Sequence, residues 1–484
     1  MLEEELLNLI RRIQKRQTEF QNVELKTANI DFPKRIYDTL SSFSNQDEGG
    51  IIIFGVSEKD NYDAVGVYST ENAQKKAMEA CEQMEPAVRA VFTSAAVDGK
   101  FVLSMEIPPA EYWRRPVFYK GAGRLRGSYI RVGDADEPMS EYEVYSYEAF
   151  RRRIRDELRT VPECRMNLLD QNRLQQYLEA VKQERNNLSA LPDPEIMELT
   201  GITSQGEVTM AAALVFGIYP QAWFPQLCIT AVSLPGTAMG DTDREGGRFI
   251  DNKRITGSLP EMLEGAVDFV RRNMRTKTII DENGRRADRD EYPLTAVREA
   301  ILNALIHRDY SMLTENTPIC IEMYRDRMEI TSKGGLYGGG SVRQLGKGIP
   351  ETRNAALANI LELLRVTENR YSGIPTIFKS FADARLPVPE FVVERGLFKV
   401  IFRNGTHMAD EAEIDKTDIR QAVLQFCQTP KSRSEIIAFT GMSRNYTMSS
   451  VVTPLIVQGK LRMTIPEKPR SSNQRFVSKD EGGE

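Results

Sequence analysis

The fold of this 484-residue chain depends most on residues 291–310, which have the sequence EYPLTAVREAILNALIHRDY. Glu299, Asn303 and His307 recur there every four residues, so a helix would place an acid, an amide and an imidazole along one face. The opposite, buried side would be formed by Val297, Ile301, Ala304 and Leu305. A carboxylate one turn from an amide can orient a water molecule and hold hydrated magnesium against a nucleotide phosphate. The alternative is an amphipathic helix whose polar residues simply face solvent.

Length and composition limit the class of protein. A chain of 484 residues exceeds the usual size of one domain, and about three domains are expected. Hydrophobic residues make up 41% and charged residues 27% of the chain, as in globular proteins, and no apolar run is long enough to span a bilayer. The start of the chain is acidic and amphipathic, unlike a secretory signal, so a cytoplasmic protein with no membrane role is predicted.

Cysteine and charge patterns narrow the choice further. Five scattered cysteines without a Cys-x-x-Cys pair, and only two histidines, argue against a zinc site or a disulfide framework. The net charge is −5, but residues 416–479 contain eleven basic and three acidic side chains, a local charge of +8. A compact basic module on an acidic body is the charge layout expected of a nucleic-acid-binding protein, although a solvated basic face has the same composition.

The order of helix and strand signals predicts an α/β multidomain (α+β) protein. Residues 1–140 alternate helix and strand, including a buried strand entered through Gly49 and Gly50. Residues 141–190 form a charged helical connector, residues 191–408 a second α/β region, and residues 409–484 a basic tail domain.

A glycine-rich segment of seven residues follows the predicted hairpin at 319–330. The segment 334–340 has the sequence GGLYGGG. Glycine lets backbone N–H groups approach an anion, so the segment predicts a mobile lid or a phosphate cradle. The alternative is an ordinary flexible loop.

The motif helix, the hairpin, the glycine segment and the later Gly373 occur in an order that resembles the GHKL ATP-binding fold of histidine kinases, gyrase and heat-shock chaperones. Tyr292-Pro293-Leu294, Asn303-Ala304 and His307-Arg308-Asp309-Tyr310 are similar to a RecG-like bacterial branch without a helicase motor. This resemblance implies ATP and magnesium as cofactors, and often a homodimer. It implies these roles: Glu299 as the water-orienting base, Asn303 as the magnesium ligand, and His307, Gly334, Gly335 and Gly373 in the nucleotide pocket and lid.

Two departures from the GHKL pattern concern the nucleotide. The usual adenine-binding Asp-x-Gly-x-Gly box is replaced by Ser332-Lys333-Gly334-Gly335, and the second glycine box is reduced to Gly373. Losing a hydrogen bond to a charged group costs roughly 1.5 to 3 kcal/mol. We therefore expect ATP to be hydrolysed slowly, if it is hydrolysed.

Residues 15–140 resemble the Schlafen/AlbA-type domain, through Val23-Glu24-Leu25-Lys26, residues 49–56 and Tyr129-Ile130-Arg131-Val132-Gly133. The resemblance implies nucleic-acid binding, with Lys26 among the contacts. In nucleolytic Schlafen proteins three carboxylates gather at this place, and Glu19, Glu24 and either Glu58 or Asp60 have similar spacing here. Three acids can bind a divalent metal for phosphodiester cleavage, whereas acids beside Lys26 can also be paired surface charges.

The tail resembles a winged helix, with three helical segments followed by two strands. In such modules the third helix enters the major groove while the wing contacts phosphate. The nucleic-acid contacts implied are Arg444, Asn445, Tyr446, Lys468, Arg470 and Arg475. Protein docking is the alternative use of the module.

Three functions remain open from the sequence. The first is a nucleic-acid-binding, transcriptional regulator, with DNA favoured over RNA, that responds to nucleotide. The second is an enzyme, either a metal-dependent nuclease or a slow ATPase. The third is a degenerate interaction scaffold.

Overall fold

The computed structural model describes residues 1–243, 245–280, 286–340, 342–348, 351–367, 372–405, 416–440, 447–466 and 474–478. The chain divides into two compact units, Met1–Phe402 and Arg403–Glu484. Helices and sheets of both parallel and antiparallel type confirm the predicted α/β multidomain class.

The first part of the Met1–Phe402 unit alternates helices and strands around a four-stranded sheet. Its elements are α1 (Glu3–Arg16), β1 (Val23–Lys26), α2 (Tyr37–Asn45), β2 (Gly50–Phe54), β3 (Val56–Ser57), β4 (Asp63–Ala64), α3 (Thr70–Glu82), β5 (Met84–Glu85), β6 (Val91–Val97), β7 (Lys100–Ile107), β8 (Phe118–Tyr119), α4 (Gly123–Gly127), β9 (Tyr129–Val132), β10 (Ala135–Pro138) and α5 (Glu141–Arg152).

The four strands lie in the order β1-β2-β7-β6, with β1 parallel to β2 and the other neighbours antiparallel. Because side chains alternate along a strand, Ile52 and Phe54 point to one face and Ile53 to the other. Helices α2 and α3 cover the first face, and α1 covers the second through Leu6, Ile10 and Ile13. The sheet is therefore buried on both faces, which explains the continuous apolar run at 51–54.

The second part of this unit is built around a six-stranded sheet. Its elements are α6 (Gln171–Glu184), α7 (Asp193–Thr200), β11 (Thr203–Ser204), β12 (Glu207–Val208), α8 (Met210–Phe216), β13 (Ile229–Ser233), β14 (Asp251–Ile255), α9 (Leu259–Asn273), β15 (Thr276–Ile280), β16 (Arg286–Asp290), α10 (Leu294–His307), β17 (Ile319–Met323), β18 (Arg327–Lys333), α11 (Ala355–Leu363), α12 (Gly373–Asp383), β19 (Glu390–Glu394) and β20 (Leu397–Arg403).

The six strands lie in the order β14-β13-β17-β18-β20-β19, and α10 packs against α9, α12 and β18. Apolar residues of these helices and strands form one large core. Helix α6, from the segment predicted to be a connector, contributes Leu174, Tyr177 and Val181 to the same core. The motif helix α10 is thus held at the centre of the domain, with neighbours on both sides.

The Arg403–Glu484 unit contains short helices and a three-stranded sheet. Its elements are α13 (Lys416–Phe426), β21 (Lys431–Ser432), α14 (Arg433–Thr440), a π-helical segment (Thr447–Val452), α15 (Thr453–Val457), β22 (Leu461–Met463) and β23 (Arg475–Ser478). The sheet order is β21-β23-β22, and both pairings are antiparallel. Val423, Ile436, Leu455 and Phe476 lie in its small core.

Candidate functional site

Helix α10 separates apolar and polar side chains as the sequence predicts. The four residues of the predicted buried side are confirmed as buried: Val297, Ile301, Ala304 and Leu305. On the polar stripe, Glu299 and Asn303 are half-buried and His307 is exposed. Each helical turn rises about 5.4 Å, so the three side chains follow one another along the helix.

Gly373, the first residue of α12, lies directly against this stripe. A Cβ atom built on Gly373 would be 3.0 Å from Oε2 of Glu299 and 3.1 Å from Nδ2 of Asn303. Real Cβ atoms rarely approach other heavy atoms so closely, so a side chain here would push into both polar groups. The structure therefore brings together Glu299, Asn303 and Gly373, three residues that lie up to 74 positions apart in the sequence.

The Asn303 amide is unusual within this group. Its Nδ2 atom is buried and has no hydrogen-bond partner among the described residues. A buried polar group without a partner costs about 1 to 3 kcal/mol, so most such groups in proteins are satisfied. This N–H group can donate a hydrogen bond to an acceptor atom of a polar ligand.

His307 lies near the end of the same stripe. The residue is solvent-exposed. Desolvation of the imidazole by neighbouring protein atoms, followed by the positive charge of Arg353, lowers the His307 pKa to about 4. The imidazole is therefore neutral at physiological pH, and it can accept or donate a hydrogen bond without adding charge.

Immediately after α10, Asp309 is the centre of a buried polar network. Its carboxylate accepts hydrogen bonds from Nη1 of Arg353 at 2.8 Å, from the Tyr142 hydroxyl at 3.0 Å and from the Ser311 backbone N–H at 2.8 Å. Asn354 donates to the carbonyl oxygens of Ile306 and Arg308 at 2.7 and 2.8 Å. These bonds fix the end of the motif helix.

The glycine segment 334–340 begins beside this network. The Gly334 N–H donates to the Gly396 carbonyl at 2.8 Å, and a Cβ on Gly334 would lie 2.9 Å from the Asp309 nitrogen. The Gly335 carbonyl accepts a 3.0 Å hydrogen bond from Nη2 of Arg353. Gly334 also has a φ of +111°, which favours glycine. Gly334 and Gly335 thus lie at the His307 end of α10.

The rest of this segment packs against the first part of the unit. The Tyr337 ring is 5.1 Å from the Phe150 ring, and a Cβ on Gly339 would lie only 2.7 Å from the Tyr112 ring. Arg153 forms a 2.5 Å ion pair with Glu351, just beyond the segment. The predicted lid or cradle is therefore in contact with α5 and with the 3-10 turn Tyr112–Arg114.

The acids of the first part occupy a second polar cluster. Glu19 is half-buried, and its Oε1 accepts a 3.1 Å hydrogen bond from the Leu25 N–H. Burial, and then the charges of Glu24 and Glu58, raise the Glu19 pKa to about 7. Glu58 is exposed at the start of a 3-10 turn that also contains Asp60.

Glu24 is paired with two cations. Lys26 Nζ lies 2.6 Å from its Oε1, and Arg131 Nη2 lies 2.9 Å from its Oε2. The Arg131 side chain is only 1% exposed and also bonds Asp136 at 2.9 Å. Arg131 belongs to a motif of the sequence analysis but had no predicted role there. Its charge in the otherwise apolar strand β9 could have indicated a buried ion pair.

Of the side chains predicted to contact nucleic acid in the tail, only Arg475 is described. Its guanidinium is half-exposed, 3.5 Å from the Glu435 carboxylate. The other five lie outside the described residues: Arg444, Asn445, Tyr446, Lys468 and Arg470.

Family models match two parts of the chain. Residues 19–140 match the model "Schlafen, AlbA_2", and residues 316–402 match HATPase_c_4, described as "Putative ATP-dependent DNA helicase recG C-terminal". The chain therefore contains a Schlafen/AlbA-type domain and an HATPase-type domain, classes associated with nucleic acid and with ATP. The second match includes Gly334, Gly335 and Gly373 but begins after α10, so the roles of Glu299, Asn303 and His307 stay predictions.

Solved structures give weaker likenesses. The DIP2311 protein from Corynebacterium diphtheriae is 15% identical, with 98% of this chain and 99% of that chain covered, at a TM-score of 0.37. The N-terminal domain of a "Putative ATP-dependent DNA Helicase RecG-related Protein" from Nitrosomonas europaea is 26% identical over 27% of this chain and 90% of that chain, at a TM-score of 0.22. Neither score supports an argument about function. A search of curated proteins found no match.

The described residues contain neither a cluster of metal ligands nor a helix that could span a membrane. Across the described ranges, no group of three or more His, Cys, Asp or Glu side chains is placed to hold a metal ion. Magnesium bound through nucleotide phosphates needs fewer protein ligands, often one or two. Among the same residues, no helix has both the length and the apolar character to cross a bilayer.

Proposed function

We propose that this protein is a nucleic-acid-binding regulator whose HATPase-type domain binds ATP at the polar stripe of α10. The observation that carries the proposal is the Asn303 amide. Its Nδ2 atom is buried without a described partner, and it faces Gly373, where a Cβ would not fit. The orphaned donor can bind a hydrogen-bond acceptor of a ligand, and glycine at position 373 lets α12 lie close to both polar side chains.

Each polar side chain of this stripe would have a different role in binding the nucleotide. The Asn303 carboxamide oxygen would hold magnesium, which supplies positive charge to neutralise the phosphates when it is bound. The Glu299 carboxylate, one turn earlier, would orient a water molecule. Neutral His307 would add a hydrogen bond without repelling the metal. Gly335 would contribute a backbone N–H group near the end of α10, whereas the Gly334 N–H already donates to the Gly396 carbonyl.

We expect ATP binding to be weak and ATP hydrolysis to be slow. Ser332 and Lys333 stand where the wider fold carries its adenine-binding Asp, and the second glycine box contains only Gly373. Losing the charged acceptor costs roughly 1.5 to 3 kcal/mol. A nucleotide that is held but slowly hydrolysed is suited to signalling rather than to driving a motor.

Contacts of the glycine segment support a coupling between nucleotide and nucleic acid. Arg353 bonds both Asp309 and the Gly335 carbonyl, while Tyr337 and Gly339 contact Phe150 and Tyr112 of the first part. Any ligand that moves residues 334–340 must therefore change contacts with the Schlafen/AlbA-type domain or with α5. Coupling of this kind is expressed as a difference in nucleic-acid affinity with and without ATP.

The nucleic-acid part of the proposal rests on two regions. The Schlafen/AlbA-type match covers residues 19–140, and the tail has a charge of +8 over residues 416–479. In the tail, three described helices, a π-helical segment and a three-stranded antiparallel sheet support the winged-helix interpretation. We propose duplex DNA as the ligand, and transcription as the process that is regulated.

Titration calorimetry with magnesium and ATP tests the site. We expect Asn303→Ala to weaken ATP binding at least tenfold, about 1.4 kcal/mol. Asn252→Ala removes the same amide from an exposed position on β14 and is the matched control. Absence of binding by the unmodified protein at millimolar ATP, or equal binding by all three proteins, contradicts the proposal.

A second candidate function, a metal-dependent nuclease, is favoured by Glu19. Its pKa of about 7 lets this carboxyl group exchange a proton near neutral pH, which is typical of catalytic acids and bases. The test is cleavage of labelled DNA and RNA with magnesium, comparing the unmodified protein with Glu19→Gln. Product that forms only with the unmodified protein supports this candidate, and absence of product rejects it.

A further inference from the structure

Three arginines converge on one carboxylate at the edge of the Schlafen/AlbA-type domain. Arg124 of α4 and Arg151 and Arg152 of α5 all pair with Glu148, the latter two at 2.5 and 3.2 Å. The Glu148 side chain is 16% exposed, whereas Arg152 is 70% exposed. The two helices pack together, so these cations share one surface. We call this surface the arginine face.

The charges of this surface do not cancel. Glu148 supplies one negative charge, and the C-terminal end of α5 supplies about half of another through its helix dipole. Three guanidinium groups therefore leave an excess of about one and a half positive charges. Desolvation, followed by the charges of Arg151 and Arg152, lowers the Arg124 pKa, and Glu85 offsets this only in part. The arginines thus repel one another, and a further anion would relieve that repulsion.

Two more exposed cations lie beside Arg124 in the chain. Arg126 is exposed on α4 and forms no ion pair with any described residue. Lys120, just before α4, is also exposed and donates to the Glu82 carbonyl at 2.9 Å. The match to the Schlafen/AlbA family ends at residue 140, so Arg151 and Arg152 lie beyond it. The surface combines residues inside and outside that domain.

We infer that the arginine face binds the phosphodiester backbone of a nucleic acid. This inference deepens the proposed function and rests on it, because it names a surface for the proposed ligand. Guanidinium groups match phosphate through two parallel N–H donors, which an ammonium group cannot do. Because the first part of the unit matches the Schlafen/AlbA family, the expected source of that phosphate is a nucleic-acid backbone. Contacts of this kind position a nucleic acid without selecting its sequence.

The test compares salt dependence in two charge-reversed full-length proteins. Arg151→Glu/Arg152→Glu alters the arginine face, and Arg11→Glu/Lys15→Glu makes the same net change at exposed positions on α1. Binding to a labelled 20-base-pair duplex and to the matching RNA is measured by fluorescence anisotropy from 50 to 200 mM salt. Losing two phosphate contacts should lower the slope of log K against log salt by about 1.8, and weaken binding about tenfold or more at low salt. The α1 variant should stay within about twofold of the unmodified protein.

The possible outcomes separate this inference from the proposed function. If the two variants bind nucleic acid equally well, or are weakened equally, the arginine face is not the binding surface. The proposed function is then left intact. No salt-sensitive binding by the unmodified protein overturns both. Loss of binding to vesicles of anionic phospholipid, with nucleic-acid binding unchanged, would assign the surface to a membrane and overturn the inference. If the reversed variant does not fold, Arg151→Gln/Arg152→Gln is measured instead, with Arg11→Gln/Lys15→Gln as its control.

Discussion

Arg353 donates a 2.8 Å hydrogen bond to the Asp309 carboxylate, and the two side chains are only 10% and 2% exposed. Asp309 follows the motif helix α10, and Arg353 lies just before α11, so this ion pair joins two segments that border the candidate nucleotide site. The Tyr142 hydroxyl, from α5, bonds the same carboxylate at 3.0 Å. One buried acid therefore links the motif helix, the glycine segment and the helix that follows the Schlafen/AlbA-type domain.

Arg353→Ala should destabilise the Met1–Phe402 unit strongly. Removing one partner of a buried ion pair leaves the other charge unpaired and costs about 3 to 5 kcal/mol. Urea unfolding followed by circular dichroism measures the loss. Arg343→Ala is the control, because that side chain is 88% exposed and its removal should cost less than about 1 kcal/mol. A loss of similar size in both variants would show that Asp309 does not depend on its partner.

Gly373→Ala should weaken ATP binding strongly, with only a modest effect on the stability of the fold. The new methyl group would lie about 3 Å from Glu299 and Asn303, so both polar groups must shift. Calorimetry should show at least a tenfold loss of affinity, about 1.4 kcal/mol. Gly348→Ala provides a matched control, because a Cβ there would meet no described atom within 4 Å. Unchanged ATP affinity in Gly373→Ala would remove this glycine from the site.

Glu19 should make the protein less stable as pH rises from about 4.5 to 7. Its pKa is raised from 4.5 to about 7 in the folded state, so the folded protein holds a proton that the unfolded chain has lost. The free energy of unfolding should therefore fall between about pH 4.5 and 7 and level off above 7. Glu19→Gln should remove this part of the pH dependence.

Glu24→Gln tests the origin of the same shift. Removing the Glu24 charge, the second cause after burial, should lower the Glu19 pKa and move the fall in stability to lower pH. Denaturant unfolding at half-unit pH steps measures both variants. A stability profile that is identical in the unmodified protein and in Glu19→Gln would contradict the raised pKa.

ATP binding should change the fluorescence of Trp113. This residue is 51% exposed in the turn Tyr112–Arg114, and Tyr112 contacts Gly339. The chain contains two tryptophans, so Trp223→Phe leaves Trp113 as the single reporter. A shift of emission that saturates with the ATP affinity found by calorimetry is expected. Trp113→Phe, which keeps Trp223, should show no such change, and equal responses in the two variants would argue against movement of the glycine segment.

Local patterns were sufficient for the elements of the site. The four-residue recurrence of Glu299, Asn303 and His307 predicts α10, and the alternation around residues 319–330 predicts the hairpin formed by β17 and β18. The match to an HATPase-type model confirms the resemblance that includes Gly373. The buried network of Asp309 and Arg353 was not assigned, although Asp309 occurs in a quoted motif. Nothing in the local pattern distinguishes a buried charge from a solvated one.

The sequence by itself determined which segments are helices and strands, because periodicity of 3.6 or 2 residues depends on neighbours in the chain. It also determined that Glu299 and Asn303 share a helical face. Only the tertiary structure decided that Gly373 closes against that face, that the Asn303 Nδ2 atom is buried without a described partner, and that Arg124, Arg151 and Arg152 share Glu148. Close approach, burial and charge repulsion arise between residues far apart in sequence, and they appear only when the chain is packed.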